Sequence, residues 1–156
     1  MSLMVTSERA AEYQGIVRSV TAWADEQHDI AGVAAVGSWA RYEPRMDSDL
    51  DLVVLTVDKQ RYLTATSWVP EAVGRQAKIV RTQGWGPLTE RRVVLRSGFE
   101  IEFGFVAPSW ASTDPLDEGT ARVVRDGCLP LYDPSGAFQQ LTAVSPAKPR
   151  IRRPIH

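Results

Sequence analysis

Apolar residues near the amino end of the chain recur at the spacing of a helix that buries one face. These positions are three and four residues apart: Tyr13, Ile16, Val17, Val20 and Ala24. Residues at this spacing lie on one side of a helix, so the pattern predicts a helix with one buried face. Thr6 or Ser7 is expected to cap its amino end, and we expect the helix to run to about Gln27.

Two apolar runs follow, and a polar connection of roughly ten residues separates them. We predict strands over residues 30–36 and 49–56, because short apolar runs bounded by glycine, proline or charged residues are typical of buried strands. Between them, residues 39–42 are predicted to form a short helix that Pro44 ends. The first strand leads directly into Gly37 and Ser38.

The rest of the chain predicts a mixture of helices and strands. The expected elements are a helix over 58–67, a loop at Pro70 and Gly74, a strand over 77–82, a loop over 83–87, a hairpin of strands 91–96 and 99–106, a helix over 117–126, a short strand after it, and a last helix that Ser135 caps and that ends near Val144. Together they predict an α+β protein in which helices flank a mixed sheet.

Composition and charge narrow the classes of protein to which the chain could belong. Its 156 residues suit one domain, which we place at residues 1–145, followed by a basic and disordered tail over 146–156. The net charge of −1 gives no general attraction to nucleic acid or to an anionic membrane. A single cysteine, the absence of a long apolar run and the absence of a signal-peptide pattern make a cytoplasmic protein the expectation.

The sequence around the second apolar run carries the candidate chemistry. Asp49 and Asp51 are two apart on a predicted strand, so their side chains project to the same face. Two adjacent carboxylates repel each other, and Mg²⁺, which prefers hard oxygen ligands, would relieve that repulsion. Upstream, Gly37 allows a ligand to approach the backbone, and Ser38 offers a hydroxyl and an N–H group. A metal on one side and phosphate on the other would make a nucleotide site.

This arrangement resembles the nucleotidyltransferase superfamily of the DNA polymerase β type. The resemblance joins Gly37-Ser38-x-Ala40-Arg41 to Ser48-Asp49-x-Asp51-Leu52 at a fitting separation. It is closest to small bacterial members, which include antibiotic nucleotidyltransferases and minimal nucleotidyltransferases that accompany helical partner proteins. It covers residues 36–55 well and the remainder loosely.

The resemblance implies a nucleotidyltransferase fold and a reaction that depends on one or two Mg²⁺ ions. A nucleoside monophosphate would pass from an NTP, with ATP favoured, to an unknown acceptor hydroxyl on a small molecule or a protein, and pyrophosphate would leave. Asp49 and Asp51 would hold metal. Gly37, Ser38 and Arg41 would bind the nucleotide.

A third carboxylate is implied on a neighbouring strand, where it would complete the metal site and assist deprotonation of the acceptor. In the strand over 99–106, aromatic and aliphatic residues alternate with Glu100 and Glu102. We assign the role to Glu102, with Glu100 as the substitute. In the alternative interpretation, both glutamates are half-exposed strand residues that pair with Arg92 or Arg96.

Other interpretations of the same residues are weaker. In haloacid-dehalogenase-like phosphatases and in glycosyltransferases the apolar strand precedes Asp-x-Asp, whereas here it follows. A calcium loop that began at Asp47 would need a glutamate at its twelfth position, where Asp58 stands. The two aspartates could also be solvated surface residues. Trp39 and Trp85 could stack on a base, although packing in the core or in a loop is the expectation for each.

A different class of function also remains open. The chain could be a weakly catalytic or non-catalytic regulatory module, similar to an antitoxin, that binds a helical partner protein. A homodimer is a further alternative. Nucleic acid is not expected as a partner, because the folded part has no evident basic stripe, and a membrane is not expected, because the chain has no long apolar run.

Overall fold

The fold is described by a computed structural model, which covers residues 5–146. In chain order the elements are α1 (Ser7–Asp25), β1 (Ile30–Val36), β2 (Leu50–Thr56), α2 (Lys59–Thr64), α3 (Trp68–Val73), β3 (Ala77–Trp85), β4 (Leu88–Leu95), β5 (Glu100–Val106), a 3₁₀ turn (Pro108–Ala111), α4 (Glu118–Arg125), β6 (Cys128–Tyr132) and α5 (Ala137–Val144). The prediction of an α+β protein is confirmed.

The six strands form one mixed sheet in the order β3-β4-β5-β2-β1-β6. Strands β2 and β5 run parallel to each other, and the other neighbouring pairs are antiparallel. The parallel pair lies at the centre of the sheet, where Asp51 is the register partner of Glu102. The sheet therefore brings together two acidic residues that are far apart in sequence.

Helices cover both faces of the sheet and form two hydrophobic cores. The larger core lies against α1, α2 and α3, and the smaller one lies against the 3₁₀ turn, α4 and α5. Along β2, Leu52 and Val54 belong to the larger core, whereas Val53 and Leu55 belong to the smaller one. Asp51 shares the face of Val53 and Leu55, because alternate residues of a strand point the same way. The acidic site thus lies at one end of the smaller core.

Several local predictions need correction. Residues 39–42 form hydrogen-bonded turns and not a helix, since the N–H of Glu43 donates to the carbonyl of Ser38 (2.9 Å) and Tyr42 has a φ of 60°. The predicted loop at Pro70 is instead part of the short helix α3. Proline is tolerated there because it lies in the first turn, where a backbone N–H group has no partner within the helix. Strand β3 continues through the predicted loop to Trp85.

The cap of the last helix also differs from the prediction. Gly136, and not Ser135, is the N-cap residue of α5. The carboxylate of Asp133 accepts hydrogen bonds from the backbone N–H groups of Phe138 (3.1 Å) and Gln139 (2.9 Å). An acidic side chain from the preceding turn therefore satisfies the helix end that we assigned to a serine.

Two further points concern the predicted tail over 146–156 and membrane-spanning helices. The predicted tail lies outside the described residues, apart from Pro146. Within residues 5–146, no helix combines the length and apolar character that crossing a bilayer requires.

Candidate active site

Three carboxylates from two adjacent strands converge at one end of the sheet. Asp49 immediately precedes β2, Asp51 lies on β2, and Glu102 lies on β5. One carboxylate oxygen from each residue lies within 4.8 Å of the other two. Oxygens bound to one Mg²⁺ at about 2.1 Å lie at most about 4.2 Å apart, so small side-chain rotations suffice to place all three around one ion.

The carboxyl of Asp51 is difficult to ionise. Burial raises the pKa of Asp51 to about 6, with further increases from the neighbouring Asp49 and Glu90 carboxylates. Arg92 and Arg41 act in the opposite direction but do not cancel the effect. A cation bound between the carboxylates would favour the ionised form, so the site has an electrostatic reason to bind one.

Gly37 stands directly against Asp51. Its backbone has a φ of 78°, and a Cβ atom at this position would lie 2.6 Å from Oδ2 of Asp51. Only glycine therefore allows the turn after β1 and the Asp51 carboxylate to occupy their positions together. The sequence motif identified Gly37, and the structure supplies this physical reason for it.

Arg41 and Gly127 close the corner beside Gly37. The guanidinium of Arg41 donates to the backbone carbonyl of Asp126 (3.1 Å). Gly127 has a φ of 137°, and a Cβ atom there would lie 3.3 Å from the carbonyl oxygen of Gly37. The loop between α4 and β6 is thus packed tightly against the turn at Gly37 and Ser38, which we call the glycine corner. The sequence did not reveal this contact.

A cavity of about 530 Å³ opens beside the carboxylates. Of the predicted site residues, Gly37, Arg41, Asp51 and Glu102 line this cavity. Within the described chain, Ser38 and Asp49 are not among its lining residues, although each adjoins a part of the site. The remainder of the wall comes chiefly from the β3–β4 hairpin, the 3₁₀ turn and α4, with Trp85, Leu88, Trp110, Asp117 and Thr120.

The two tryptophans considered from sequence have different surroundings. Trp39 is buried and stacks on Tyr13, with 4.1 Å between the ring centroids, as expected for a core residue. Trp85 is 57% exposed and lines the cavity, so the expectation that it packs in a loop is wrong. Its position at the end of β3 explains this, because the strand carries its side chain beyond the core.

Arg92 joins the acidic cluster from strand β4. Its Nη1 atom lies 2.9 Å from Oδ2 of Asp49 and 2.5 Å from Oε1 of Glu100, and its Nη2 atom contacts Glu102. The pairing of the glutamates with Arg92 was the alternative to a role at the metal site. In the structure Glu102 does both: it belongs to the carboxylate triad, Asp49, Asp51 and Glu102, and it also pairs with Arg92. Glu100 pairs with Arg92 and lies outside the triad.

The pairing of Arg92 with Glu102 agrees with the predicted hairpin. In the register of β4 and β5, Arg92 lies directly opposite Glu102. A tight turn at Ser97-Gly98 limits the possible registers, and opposite charges across a pair of strands are a recognised stabilising arrangement. The contact between Arg92 and Asp49 depends on the parallel pairing of β2 with β5 and has no comparable local signal.

Comparison with known proteins yields structural matches alone. No protein-family model matches the chain, and no curated protein does. Among solved structures it is similar to the Cid1 poly(U) polymerase (TM-score 0.47, 14% identity, covering 65% of this chain and 31% of that one). It is also similar to a cytoplasmic RNA terminal U-transferase (TM-score 0.49, 14% identity, covering 66% and 31%) and to Cid1 with Mg and 3'-dATP bound (TM-score 0.48, 16% identity, covering 65% and 32%).

These structural neighbours are nucleotidyltransferases, the class that the sequence motif resembles. The chain spans about a third of the length of each. At these TM-scores and identities the likeness carries no argument about function, which has to be inferred from the side chains of the site.

Proposed function

We propose that this chain is a Mg²⁺-dependent nucleotidyltransferase that transfers a nucleoside monophosphate from an NTP to an acceptor hydroxyl. The observation that carries the proposal is the convergence of Asp49, Asp51 and Glu102 within 4.8 Å, beside a turn at Gly37 that leaves no room for a Cβ atom against Asp51. The catalytic unit would comprise residues 1–145.

The donor set suits the metal that the resemblance implies. Asp49, Asp51 and Glu102 provide three carboxylates and no nitrogen or sulfur donor, which is the ligand type that Mg²⁺ prefers. When bound, Mg²⁺ would neutralise the triphosphate and orient it for in-line attack. One or two ions are compatible with the proposal.

The side chains around the cavity have separate roles in the proposed reaction. Gly37 leaves room for the phosphates, Ser38 offers its hydroxyl and N–H beside them, and the guanidinium of Arg41 binds phosphate oxygens. Glu102, whose side chain is 14% exposed, accepts the proton of the acceptor hydroxyl. The hydroxyl oxygen forms a bond to the α-phosphorus, and the bond from that phosphorus to the pyrophosphate oxygen breaks.

The acceptor would enter along the β3–β4 hairpin. Trp85 and Leu88 line the cavity on this side and offer an apolar surface near Glu102. ATP is the donor that we would test first. The single cysteine is consistent with action in the cytoplasm.

A transfer assay tests the proposal. Labelled ATP, GTP, CTP and UTP would be incubated with Mg²⁺, the protein and a panel of acceptors that includes an aminoglycoside, a protein hydroxyl and an RNA 3′ end. The RNA acceptor is included because the neighbours are named as RNA uridylyltransferases. We expect Mg²⁺-dependent label transfer by the native protein and none by Asp51→Asn. Asp47→Asn is the matched control, since Asp47 precedes the motif and its side chain is 82% exposed.

One observation favours the second candidate, a weakly catalytic or non-catalytic module that binds a helical protein. Arg92 neutralises Asp49 and Glu102, which gives the acidic cluster a structural counter-charge of its own. In that case a folded native protein would transfer little or no nucleotide to any acceptor, and it would co-purify with a small helical partner. Efficient transfer that depends on Asp51 would exclude this candidate.

A further inference from the structure

We infer that Arg92 is a tethered cation that competes with a divalent ion for the metal ligands and moves to Glu100 when the ion binds. The inference rests on the proposed function, because it assumes that Asp49, Asp51 and Glu102 bind the ion. It assigns to Arg92 and Glu100 a role in setting the affinity of the site for metal, which neither has in the proposed reaction.

The contacts of Arg92 span the whole cluster. Its guanidinium reaches Asp49 at the start of β2 and both Glu100 and Glu102 on β5. The side chain is only 19% exposed, so it lies among the carboxylates and not above them in solvent. The like charges of these carboxylates favour a cation among them, and the guanidinium takes the position that a metal ion would otherwise occupy.

A divalent ion and the guanidinium cannot both occupy their best positions. Two of the three contacts of Arg92 are to Asp49 and Glu102, which are also two of the three candidate ligands. A positive ion between these carboxylates would repel the guanidinium at short range. A bound ion therefore either displaces Arg92 or binds with lower affinity while Arg92 stays in place.

Glu100 provides the position to which Arg92 can move. It contacts Nη1 of Arg92 at 2.5 Å, lies outside the triad, and is more exposed than Glu102, with 37% of its side chain accessible. A rotation of the arginine toward Glu100 would give up two carboxylates and keep the third. Among the described residues, Nε of Arg92 is buried and has no hydrogen-bond partner, so the present position leaves one donor of the guanidinium unsatisfied.

The measurement that tests the inference is the affinity for Mn²⁺, read by calorimetry on the full chain without nucleotide. Arg92→Gln should bind Mn²⁺ about tenfold more tightly than the native protein, the effect of removing one close charge interaction of moderate strength. Arg92→Lys keeps the charge but lacks the planar guanidinium, so its Mn²⁺ affinity should lie between those of the native protein and Arg92→Gln. It replaces Arg92→Gln in the test if that variant does not fold. Arg96→Gln is the control for net charge, because Arg96 is exposed near the end of the same hairpin.

Glu100 supplies a second and independent test. Glu100→Gln should weaken Mn²⁺ binding in the native background, because Arg92 then has no alternative partner. In the Arg92→Gln background the same change should have a much smaller effect, and a double-mutant cycle measures this coupling. Additive effects of the two substitutions would overturn the inference.

The outcomes separate this inference from the proposed function. Tight Mn²⁺ binding that Asp51→Asn abolishes, together with unchanged or weaker binding by Arg92→Gln, would contradict the role of Arg92 and leave the proposed function standing. If neither the native protein nor Arg92→Gln binds Mn²⁺, or if Asp51→Asn binds it as well as the native protein, both proposals are wrong.

Discussion

Asp51 is the residue at which the sheet, the glycine corner and the acidic cluster meet. Gly37 packs against its carboxylate, Glu102 is its partner on the neighbouring strand, and Asp49 lies two residues before it. Burial and the charges of Asp49 and Glu90 make the ionised carboxylate unfavourable in the protein without metal. The same features suit a cation site, because a bound ion would convert a repulsive cluster into an attractive one.

The raised pKa of Asp51 predicts how the effect of Asp51→Asn on stability depends on pH. Because this pKa is raised from 3.8 to about 6 in the folded state, the unfolded chain releases the proton first as pH rises, and stability falls between about pH 4 and pH 6. Near pH 3.5 the carboxyl is largely protonated in both states. Without metal, Asp51→Asn should therefore raise the free energy of unfolding near pH 7.5 by at most about 3 kcal/mol, reduced by solvent screening.

Urea denaturation in the presence of a chelator, near pH 7.5 and near pH 3.5, measures this effect. The stabilisation by Asp51→Asn should be small at the lower pH. Asp47→Asn should change stability little at either pH, because Asp47 is exposed. A larger gain for Asp51→Asn at the lower pH than at the higher one would contradict this account of the site.

Gly37→Ala tests the contact between the glycine corner and Asp51. The new Cβ would lie 2.6 Å from Oδ2 of Asp51, in a backbone conformation with a φ of 78°. Strain of this kind costs about 1 to 3 kcal/mol, and displacement of Asp51 should also abolish Mn²⁺ binding. Stability and Mn²⁺ affinity are the two measurements.

Gly86→Ala is the matched control for Gly37→Ala. Gly86 has a similar φ of 61°, and a Cβ there would meet no atom within 4 Å. The Gly86→Ala variant should lose some stability through backbone strain and keep its Mn²⁺ affinity. Equal loss of Mn²⁺ binding in both variants would mean that the contact with Asp51 is not the cause.

At the scale of elements, the central pair of strands builds the site and the β3–β4 hairpin extends it. Parallel pairing of β2 with β5 places Asp51 opposite Glu102, and the neighbouring strand β4 adds Arg92. The hairpin then carries Trp85 and Leu88 into the cavity wall. The candidate metal ligands therefore lie on or directly beside central strands, and the candidate acceptor surface lies on a more peripheral element.

Local sequence patterns predicted the elements whose residues alternate or recur regularly. The apolar run over Ile30–Val36 is strand β1 with the predicted bounds, and the alternation around Glu102 places it on the face opposite the buried aromatic residues. The apolar run and its bounds were sufficient for β1, and the period of two was sufficient for β5, because both signals depend on neighbouring residues alone.

Features that depend on contacts distant in sequence were not predicted. The contact of Arg92 with Asp49 and the packing of Gly127 against Gly37 each join segments more than 40 residues apart. The pairing of β2 with β5 was implied only by the resemblance and not by a local pattern. Helix α3 was missed for a different reason. Its apolar residues are buried by tertiary packing, and Pro70 falls in the first turn, where proline is tolerated.

Trp85→Ala tests the role of the hairpin. Because Trp85 is largely exposed, its removal should change the free energy of unfolding by less than about 0.5 kcal/mol. Loss of its contact with the acceptor should weaken acceptor binding by about 0.5 to 1.5 kcal/mol, measured as a higher KM for the acceptor with an unchanged KM for the nucleotide.

Val80→Ala provides the comparison for Trp85→Ala. Val80 is an exposed apolar residue on the same strand, β3, and is not among the residues that line the cavity. It should leave both KM values unchanged. An acceptor KM that does not respond to Trp85→Ala would place the acceptor elsewhere.

At the scale of the whole molecule, the site lies where the smaller core gives way to solvent. Residues of the sheet, the 3₁₀ turn and α4 contribute to one cavity, so the described chain contains both the candidate metal ligands and a space large enough for a substrate. The net charge of −1 gives no broad attraction to polyanions, and a phosphate group would depend on local groups such as Arg41 and a bound ion. A helical partner or a second copy of the chain remains a prediction.

The central claim is that Asp49, Asp51 and Glu102 together hold a divalent cation next to a nucleotide. An anomalous difference map from a crystal grown with MnCl₂ and a non-hydrolysable ATP analogue tests it most directly. We predict a manganese peak within coordination distance of all three carboxylates, with the triphosphate beside Gly37. An ordered nucleotide with no manganese between these carboxylates, or manganese bound at a different group of residues, would contradict the account.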